Sequence, residues 1–200
     1  MSARHPLLFR VDELVAARRF DPADAPLLQA FLDANPEYFE RIGGAPPKPD
    51  EAATELAERP PAELSWREHF NIGLWREAPD TAPELIGIAI VDSDLVIEGC
   101  WHVALFIIAT ALHGQGIAPR SYRALEQWAA AQGARWMRLG VVLGNARAEA
   151  FWRQLGFVEL RRRDGVPAND RVNTVRVLLK PLREPDVAPY LALVARDRPE

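Results

Sequence analysis

The feature that most constrains this chain is an apolar run at residues 103–109, followed almost at once by a glycine-rich turn at residues 112–118 and a helical pattern. A run this apolar predicts a central strand that is buried on both faces. Glycines let the backbone turn tightly, and the first N–H groups of the next helix have no intrahelical partners. Because the helix dipole also favours negative charge at that end, this order of elements suits a phosphate or pyrophosphate.

The same turn is also compatible with a plain tight connection, and two named phosphate motifs do not fit it. A P-loop closes with Gly-Lys-Ser/Thr, whereas Gly116 is followed by Ile117 and Ala118. A dinucleotide-binding turn has Gly or Ala three residues after its second Gly, and that position is Pro119. The turn by itself therefore leaves both interpretations open.

A second motif lies about thirty residues downstream, beyond a predicted helix and a predicted strand. Its members are Asn145, Ala148, Trp152, Gly156 and Phe157. The two motifs, in this order and at this separation, resemble those of the GNAT superfamily, the acyl-CoA-dependent N-acetyltransferases. That family has Asn-x-x-Ala-x-x-x-Tyr-x-x-x-Gly-Phe here, so the spacing matches and tryptophan replaces the tyrosine. The resemblance covers roughly residues 84–160.

At the first motif the family has Arg/Gln-x-x-Gly-x-Gly/Ala, and this chain has His113, Gly116 and Ala118. Ile108 precedes them where the family usually has valine. The resemblance implies an α/β (α+β) fold with a mixed, mostly antiparallel central sheet, helices on both faces and a splayed central strand. It further implies an N-acetyltransferase that moves an acetyl group from acetyl-CoA to a primary amine by direct attack in a ternary complex.

The resemblance also implies how the acyl-CoA would be held. Backbone N–H groups of the turn would bind the pyrophosphate, with one donor missing because Pro119 has no N–H. The pantetheine arm would follow the splayed strand and contact Asn145, which alternatively serves as a helix N-cap. His113 offers less charge than the arginine of the family. The implied cofactor-binding residues are Phe106, Ile107, Ile108, His113, Gly114, Gln115, Gly116, Ile117, Ala118, Asn145 and Trp152.

The acid and the base of the reaction are less determined. The family's tyrosine protonates the leaving thiolate, which Trp152 cannot do at neutral pH, so the thiolate leaves unaided or another group serves. Candidate bases near the sheet are Glu98, His102 and His69. We select His102 because it enters the cofactor strand and has an unperturbed pKa near 6.5, and with it Trp152, as the catalytic candidates. A dedicated base is not required if catalysis depends mostly on positioning.

Composition sets the remaining limits. Residues with hydrophobic side chains make up 48% of the 200 and charged residues 26%, which is typical of one globular domain. The net charge of −4 argues against a dedicated nucleic-acid binder. A single cysteine, Cys100, allows no internal disulfide and gives no metal cluster. No signal-peptide core and no apolar run of membrane-spanning length is present, so we expect no membrane partner and a cytoplasmic protein.

We expect a single domain over residues 1–200. Residues 1–80 would hold a first strand at 7–14 and helices from residue 21, with Tyr38 and Phe39 lining the acceptor site in proteins of this type. Residues 84–160 would form the acyl-CoA-binding core, with helices at 119–133 and 145–155. Residues 157–180 would supply closing strands around a polar turn at 164–170. Residues 181–200 would be a tail whose apolar patch, residues 190–194, docks on the domain.

Two other function classes stay open, because fold does not guarantee activity. One is a non-catalytic acyl-CoA-binding module and the other an interaction domain that keeps the fold. The acceptor is a small-molecule amine or a peptide amine, and an acidic chain mildly favours a cationic one. The sequence leaves a homodimer open.

Overall fold

The computed structural model describes residues 5–199, which form one eight-stranded mixed sheet with helices on both faces. The strands are β1 (Leu7–Arg10), β2 (Val15–Arg19), β3 (Glu68–Arg76), β4 (Glu84–Ser93), β5 (Cys100–Ile108), β6 (Trp136–Val142), β7 (Val158–Ala168) and β8 (Arg171–Pro181). The helices are α1 (Ala25–Asp33), α2 (Glu37–Gly43), α3 (Glu51–Ala57), α4 (Ile117–Ala131), α5 (Ala146–Gln154) and α6 (Ala188–Leu193). The fold class expected from the sequence is confirmed.

The strands lie in the order β1-β2-β3-β4-β5-β6-β8-β7, and only the β5–β6 pair is parallel. A parallel pair needs a long crossover, which α4 provides between β5 and β6. The pairing of these two strands runs from Cys100 to Val103 on β5 and from Trp136 to Leu139 on β6, where it stops. The sheet therefore opens between the second halves of β5 and β6.

A β-bulge marks the point where the two strands part. Val103 pairs with Val91 of β4 and Leu105 pairs with Ile90, so Ala104 is the extra residue. An extra residue bends its strand and changes which face the following side chains occupy. Side chains from β5 accordingly enter different cores before and after the bulge: Val103 packs with α4 and α5, whereas Leu105 packs with α1, α2 and α3.

The two faces of the sheet carry different sets of helices. Tyr122 and Leu125 of α4 and Trp152 of α5 are buried on one face. Leu28 and Leu32 of α1 are fully buried on the other, with α2 and α3 beside them. Within the part of the chain that the structure describes, no helix combines the length and apolarity needed to cross a membrane.

Two segments differ from the sequence prediction. The strand expected over residues 7–14 ends at Arg10, because the side chain of Asp12 accepts hydrogen bonds from Leu14 N and Val15 N and closes a turn into β2. The polar turn expected at 164–170 is mostly strand, since β7 and β8 pair as far as Ala168 and Arg171. Both differences lie in hairpins at the edges of the sheet, where the pairing between strands decides which residues form the turn, and the local sequence pattern does not contain that pairing.

The C-terminal tail is docked on the sheet, as expected. Tyr190 of α6 is fully buried against Trp136, with ring centroids 5.6 Å apart. Its hydroxyl donates to Asp197 at 2.7 Å, and Arg138 of β6 donates to both carboxylate oxygens of Asp197, from Nε at 2.7 Å and from Nη2 at 3.0 Å. Burial raises the pKa of Asp197, but Arg138 outweighs it and the pKa falls to about 2. The tail is thus held by a buried ion pair at the middle of β6.

We expect Asp197→Ala to destabilise the protein by about 3–5 kcal/mol, because it leaves the Arg138 guanidinium buried without its partner. Urea unfolding at pH 7 measures the loss. Asp50→Ala, at an exposed position whose side chain makes no cap bond, is the control. Since the folded pKa of Asp197 lies below the unfolded value of about 3.9, the difference between wild type and variant should be full above about pH 4 and shrink toward pH 2. An undiminished difference at pH 2 would contradict this assignment.

Candidate active site

The opening between β5 and β6 is a cleft of about 360 Å³, here called the splay cleft. Its walls are the diverging strand segments 104–106 of β5 and 140–142 of β6, with Ala148 and Trp152 of α5 beside them. From Ala104 onward the edge of β5 that faces β6 has no strand partner. Unpaired backbone N–H and C=O groups at a solvent-accessible edge need other partners. An extended chain that carries amides, entering between the strands, would satisfy them.

The glycine turn lies at the far end of β5. Gly114 and Gly116 have φ of 79° and 73°, in the left-handed region that only glycine adopts at little cost. The N–H groups of Gly116, Ile117 and Ala118 have no hydrogen-bond partner among residues 5–199. They form the start of α4, where the helix dipole adds positive potential. The turn therefore offers three adjacent donors to an anion.

His113 is used inside the turn. Its Nε2 donates to the backbone oxygen of Ile108 at 2.9 Å, which ties the turn to the end of β5. A positive group that sequence reasoning missed is Arg120, in the first turn of α4. Its side chain lies close to Gly116: the Nη1 atom is 3.4 Å from the position that a Cβ would occupy at this glycine. Arg120 is exposed, and among residues 5–199 its one ion pair is a loose contact with Asp12 at 3.9 Å. No motif names this position, and only the fold brings its side chain over the turn.

The predicted cofactor residues of the second motif line the splay cleft. Asn145 caps α5, accepting a hydrogen bond from Ala148 N at 3.3 Å, and also faces the cleft, so both proposed roles are compatible. Trp152 lines the cleft with 7% of its surface exposed. Its indole packs against Phe106, which also lines the cleft, and against Tyr122 at centroid distances of 5.8 and 5.0 Å.

The remaining predicted residues divide between cleft and core. Tyr38 lines the splay cleft, whereas its neighbour Phe39 is buried in the core under α1, α2 and α3. Ile107 and Ile108 direct their side chains into the two cores on opposite faces. Only their backbone groups remain for a ligand.

A second cleft, of about 260 Å³, opens on the face that carries α1, α2 and α3 and is here called the acceptor-side cleft. Four residues line both clefts: His102, Ala104, Arg138 and Arg163. The two clefts therefore meet over the bulge at Ala104. Two ligands that enter from opposite faces would come together there.

His102 lies at this meeting point in a neutral form. Arg138 Nη1 approaches His102 Nδ1 at 3.4 Å, so Nδ1 accepts and the ring proton resides on Nε2. Burial and then the charge of Arg138 lower the pKa of His102 to about 3. A ring in this state donates a hydrogen bond at neutral pH but is a weak acceptor of a proton.

The other two candidate bases are placed differently. Glu98 is exposed and lines neither cleft. His69 lines the acceptor-side cleft, but both of its ring nitrogens are engaged, Nδ1 with Asp92 at 2.7 Å and Nε2 with Asn71 Oδ1 at 3.0 Å. Because the Asn71 amide nitrogen donates to Leu56 O at 3.0 Å, its oxygen must face His69. His69 therefore donates through Nε2 and has no nitrogen free for an amine.

Sequence reasoning missed Glu55, on α3, which lines the acceptor-side cleft together with His102 and Ala104. Burial, followed by the charges of Glu58 and Glu51, raises the pKa of Glu55 to about 7. A carboxylate with this pKa takes up a proton readily near neutral pH. Two glutamates within one short helix and a third directly after it read as a solvated face, and only the docking of α3 distinguishes Glu55 from the others.

Cys100 is excluded as a covalent relay. Its side chain is fully buried beneath β6 and α6, and burial raises the pKa of the thiol to about 12. The thiolate that a nucleophilic role requires is therefore not available.

Comparison with known structures identifies the fold. An acetyltransferase from Thermus thermophilus is 23% identical, with a TM-score of 0.65 over 84% of this chain and 97% of that one. A spermidine N-acetyltransferase from Vibrio cholerae, in complex with CoA and spermine, is 19% identical, with a TM-score of 0.61 over 85% and 96%. An acetyltransferase from Salmonella typhimurium that modifies the N-terminal serine of ribosomal protein L7/L12 is 14% identical, with a TM-score of 0.65 over 87% and 98%. At such identities the similarity concerns the fold.

Comparison of sequences identifies the family. A search of curated protein sequences finds no match to this chain. The family model described as "Acetyltransferase (GNAT) family" matches residues 28–157, which include the splayed strand, the glycine turn and α5. Since this match covers more than half of the 200 residues, the chain belongs to the GNAT family of acetyltransferases.

Proposed function

We propose that this protein is an N-acetyltransferase that transfers the acetyl group of acetyl-CoA to a primary amine by direct attack in a ternary complex. The observation that carries the proposal is the meeting of the two clefts over Ala104, which gives the donor and the acceptor separate entrances to one point. The reaction forms one N–C bond and breaks one C–S bond. The buried, protonated Cys100 supports a route without an acyl-enzyme.

The residues present fit acetyl-CoA, which would supply the reactive thioester. The free N–H groups at Gly116, Ile117 and Ala118 suit its pyrophosphate, and Arg120 would supply the charge that His113 does not. The unpaired edge of β5 from Ala104 to Phe106 suits the two pantetheine amides. A backbone N–H at the bulge would then donate to the thioester oxygen, where negative charge grows during attack.

The amine must lose a proton before or during the attack. We assign this proton to Glu55, directly or through a water molecule, because its raised pKa and its place in the acceptor-side cleft suit the task. In this proposal His102 lies at the reaction point and acts as a neutral hydrogen-bond donor instead of a base. Tyr38 contributes a wall of the splay cleft on the acceptor face.

Trp152 stands where the family has an acidic phenol. Tyr38 also lines the splay cleft, but burial, followed by the charges of nearby glutamates on and after α3, raises the pKa of its phenol well above the ordinary value, which makes it a weaker acid. Tyr122 packs on Trp152, but it lines neither cleft. A thiol pKa near 8.5 makes departure as the thiolate feasible near neutral pH. This substitution also favours the second candidate function, an acyl-CoA-binding module without turnover.

Acetyl-CoA at millimolar concentration should raise the unfolding temperature, because a ligand that binds only the folded state stabilises it by about 2.7 kcal/mol at a hundredfold excess over Kd. Gly116→Val should abolish the shift by distorting the turn. Gly133→Val, at another positive-φ glycine at the distant end of α4, carries similar backbone strain and should keep it. Absence of a shift in the wild type would exclude both the enzyme and the binding module.

Turnover should depend on the ionisation of Glu55. We expect kcat/KM for a reactive amine to rise with pH around an apparent pKa near 7, and Glu55→Gln to remove that limb. Glu58→Gln should move this rise in kcat/KM to lower pH, since it removes a like charge that raises the pKa of Glu55.

Stability gives a separate readout of the same ionisation. Because the pKa of Glu55 is raised in the folded state, the wild type should lose stability relative to Glu55→Gln between about pH 4.5 and 7. A limb unchanged in Glu55→Gln would exclude this base.

Substitutions of Trp152 should separate packing from chemistry. We expect Trp152→Phe to cost modest stability and leave kcat nearly intact, whereas an indole N–H that holds the thioester would lower kcat by about tenfold to a thousandfold when lost. Trp152→Tyr restores the usual phenol, and a raised kcat would mean that the missing acid limits the natural protein. Trp128→Tyr, in the aromatic cluster behind β5 and away from both clefts, is the control. Binding without turnover for any amine in a broad panel would favour the non-catalytic module.

A further inference from the structure

The point where the two clefts meet is positively charged. Arg138 and Arg163 line both clefts there. Arg138 and Arg161 share the single carboxylate of Asp197, which Arg161 approaches at 3.4 Å. Two guanidinium groups on one carboxylate leave an uncompensated positive charge, to which Arg163 adds a second. Positive potential in a partly desolvated cleft favours an anionic ligand.

Within the described chain, these two arginines keep N–H donors that could bind a ligand. Asp197 takes Nε and Nη2 of Arg138, so Nη1 is left facing His102 at 3.4 Å. Arg163 makes no ion pair or side-chain hydrogen bond with any of residues 5–199. Its neighbour on β7, Arg162, shows the contrast, because Arg162 donates to Glu159 at 2.9 Å and lines neither cleft. Arg163 is the free cation of this pair.

We propose that the acceptor carries a carboxylate beside the amine that is acetylated, as a free α-amino acid does, and that Arg163 and Arg138 bind that carboxylate. The inference rests on the proposed function, since the amine must reach the bulge at Ala104. Arg138, Arg163 and Ala104 line the same short stretch where the clefts meet. An α-amino acid matches this arrangement because a single carbon separates its amine from its carboxylate.

The acidic side chains of the region do not argue for a purely cationic acceptor. Four carboxylates line the acceptor-side cleft but not the splay cleft: Glu55, Glu58, Glu63 and Asp92. Asp92 is engaged by His69 at 2.7 Å, and Glu55, whose pKa is raised to about 7, would accept the proton of the amine. The other two would face the side chain of the amino acid. Burial lowers the pKa of His102 most, and the charges of Arg138 and Arg163 lower it further, which agrees with a positive field where the clefts meet.

Matched pairs of acceptors that differ only in the carboxylate test the proposal. Arginine is compared with agmatine, and phenylalanine with 2-phenylethylamine, by thiol release from acetyl-CoA. Since a lost charge-assisted hydrogen bond weakens recognition by about tenfold or more, kcat/KM should be at least about tenfold higher for the amino acid of a reactive pair. Calorimetric titration of the CoA-loaded protein, which cannot turn over, should show the same preference in Kd.

Arg163→Gln should raise KM for the amino acid and leave KM for the matched amine without a carboxylate unaffected. The difference in kcat/KM between the two acceptors should therefore become smaller. Arg162→Gln, one residue away on the same strand, should leave this difference in kcat/KM unchanged. Both side chains are exposed, so folding should persist, which unfolding temperatures check.

Four results would overturn the assignment. The amine without a carboxylate could react or bind equally well as the matched amino acid. Arg163→Gln could lower kcat equally for both members of a pair, which would mean that the charge serves the leaving thiolate. The difference in kcat/KM between the members of a pair could be unchanged in Arg163→Gln. No pair could react or bind while acetyl-CoA still raises the unfolding temperature, and in that case acyl-CoA binding would stand and only the carboxylate assignment would fall. Loss of the acetyl-CoA shift itself would instead remove the proposed function.

Discussion

The loss of pairing between β5 and β6 after Val103 is the constraint on which the site depends. A central strand normally satisfies its backbone groups on both edges, and β5 does so only as far as the bulge at Ala104. Beyond that residue β5 stays paired with β4 alone, and β6 stays paired with β8. Because the divergence occurs inside the sheet, it makes an opening through the domain rather than a groove on its surface. The two cores on opposite faces then hold the two sides of the opening apart.

The second constraint is the buried ion pair that joins the C-terminal tail to this opening. Asp197 fixes Arg138 through two hydrogen bonds, and Arg138 in turn approaches His102 where the two clefts meet. A buried guanidinium without a carboxylate would be strongly unfavourable, so the tail is part of the site although it lies far from it in sequence. This coupling also affects the chemistry: burial lowers the pKa of His102 most, and the charge of Arg138, which Asp197 only partly compensates, lowers it further and helps to keep the ring neutral.

Sequence reasoning reaches the parts of the structure that depend on local order. The apolar run, the glycines at 114 and 116 and the Asn145 cap each act through neighbours within a few residues, and each lies where expected. It fails where a property depends on a distant partner. The strand β2 and the length of the β7–β8 hairpin follow from pairing, which periodicity does not contain. The choice of His102 as a base assumes an unperturbed pKa, whereas burial in the fold, and then the charge of Arg138, 36 residues away, lower that pKa to about 3. Glu55 escapes sequence reasoning for the same reason, since its pKa is raised by the docking of α3.

The departures from the family pattern have a common direction. The phenol is replaced by Trp152, and the arginine that the family can have in the turn is replaced by His113. Each change removes a group that would exchange a proton or carry charge on the donor side, while Arg120, Arg138 and Arg163 bring charge from positions outside the motifs. The backbone devices of the fold, the bulge and the free N–H groups of the turn, are untouched by these changes. Catalysis in such a site would depend chiefly on holding two reactants in register, with the proton transferred by a carboxylate on the acceptor side.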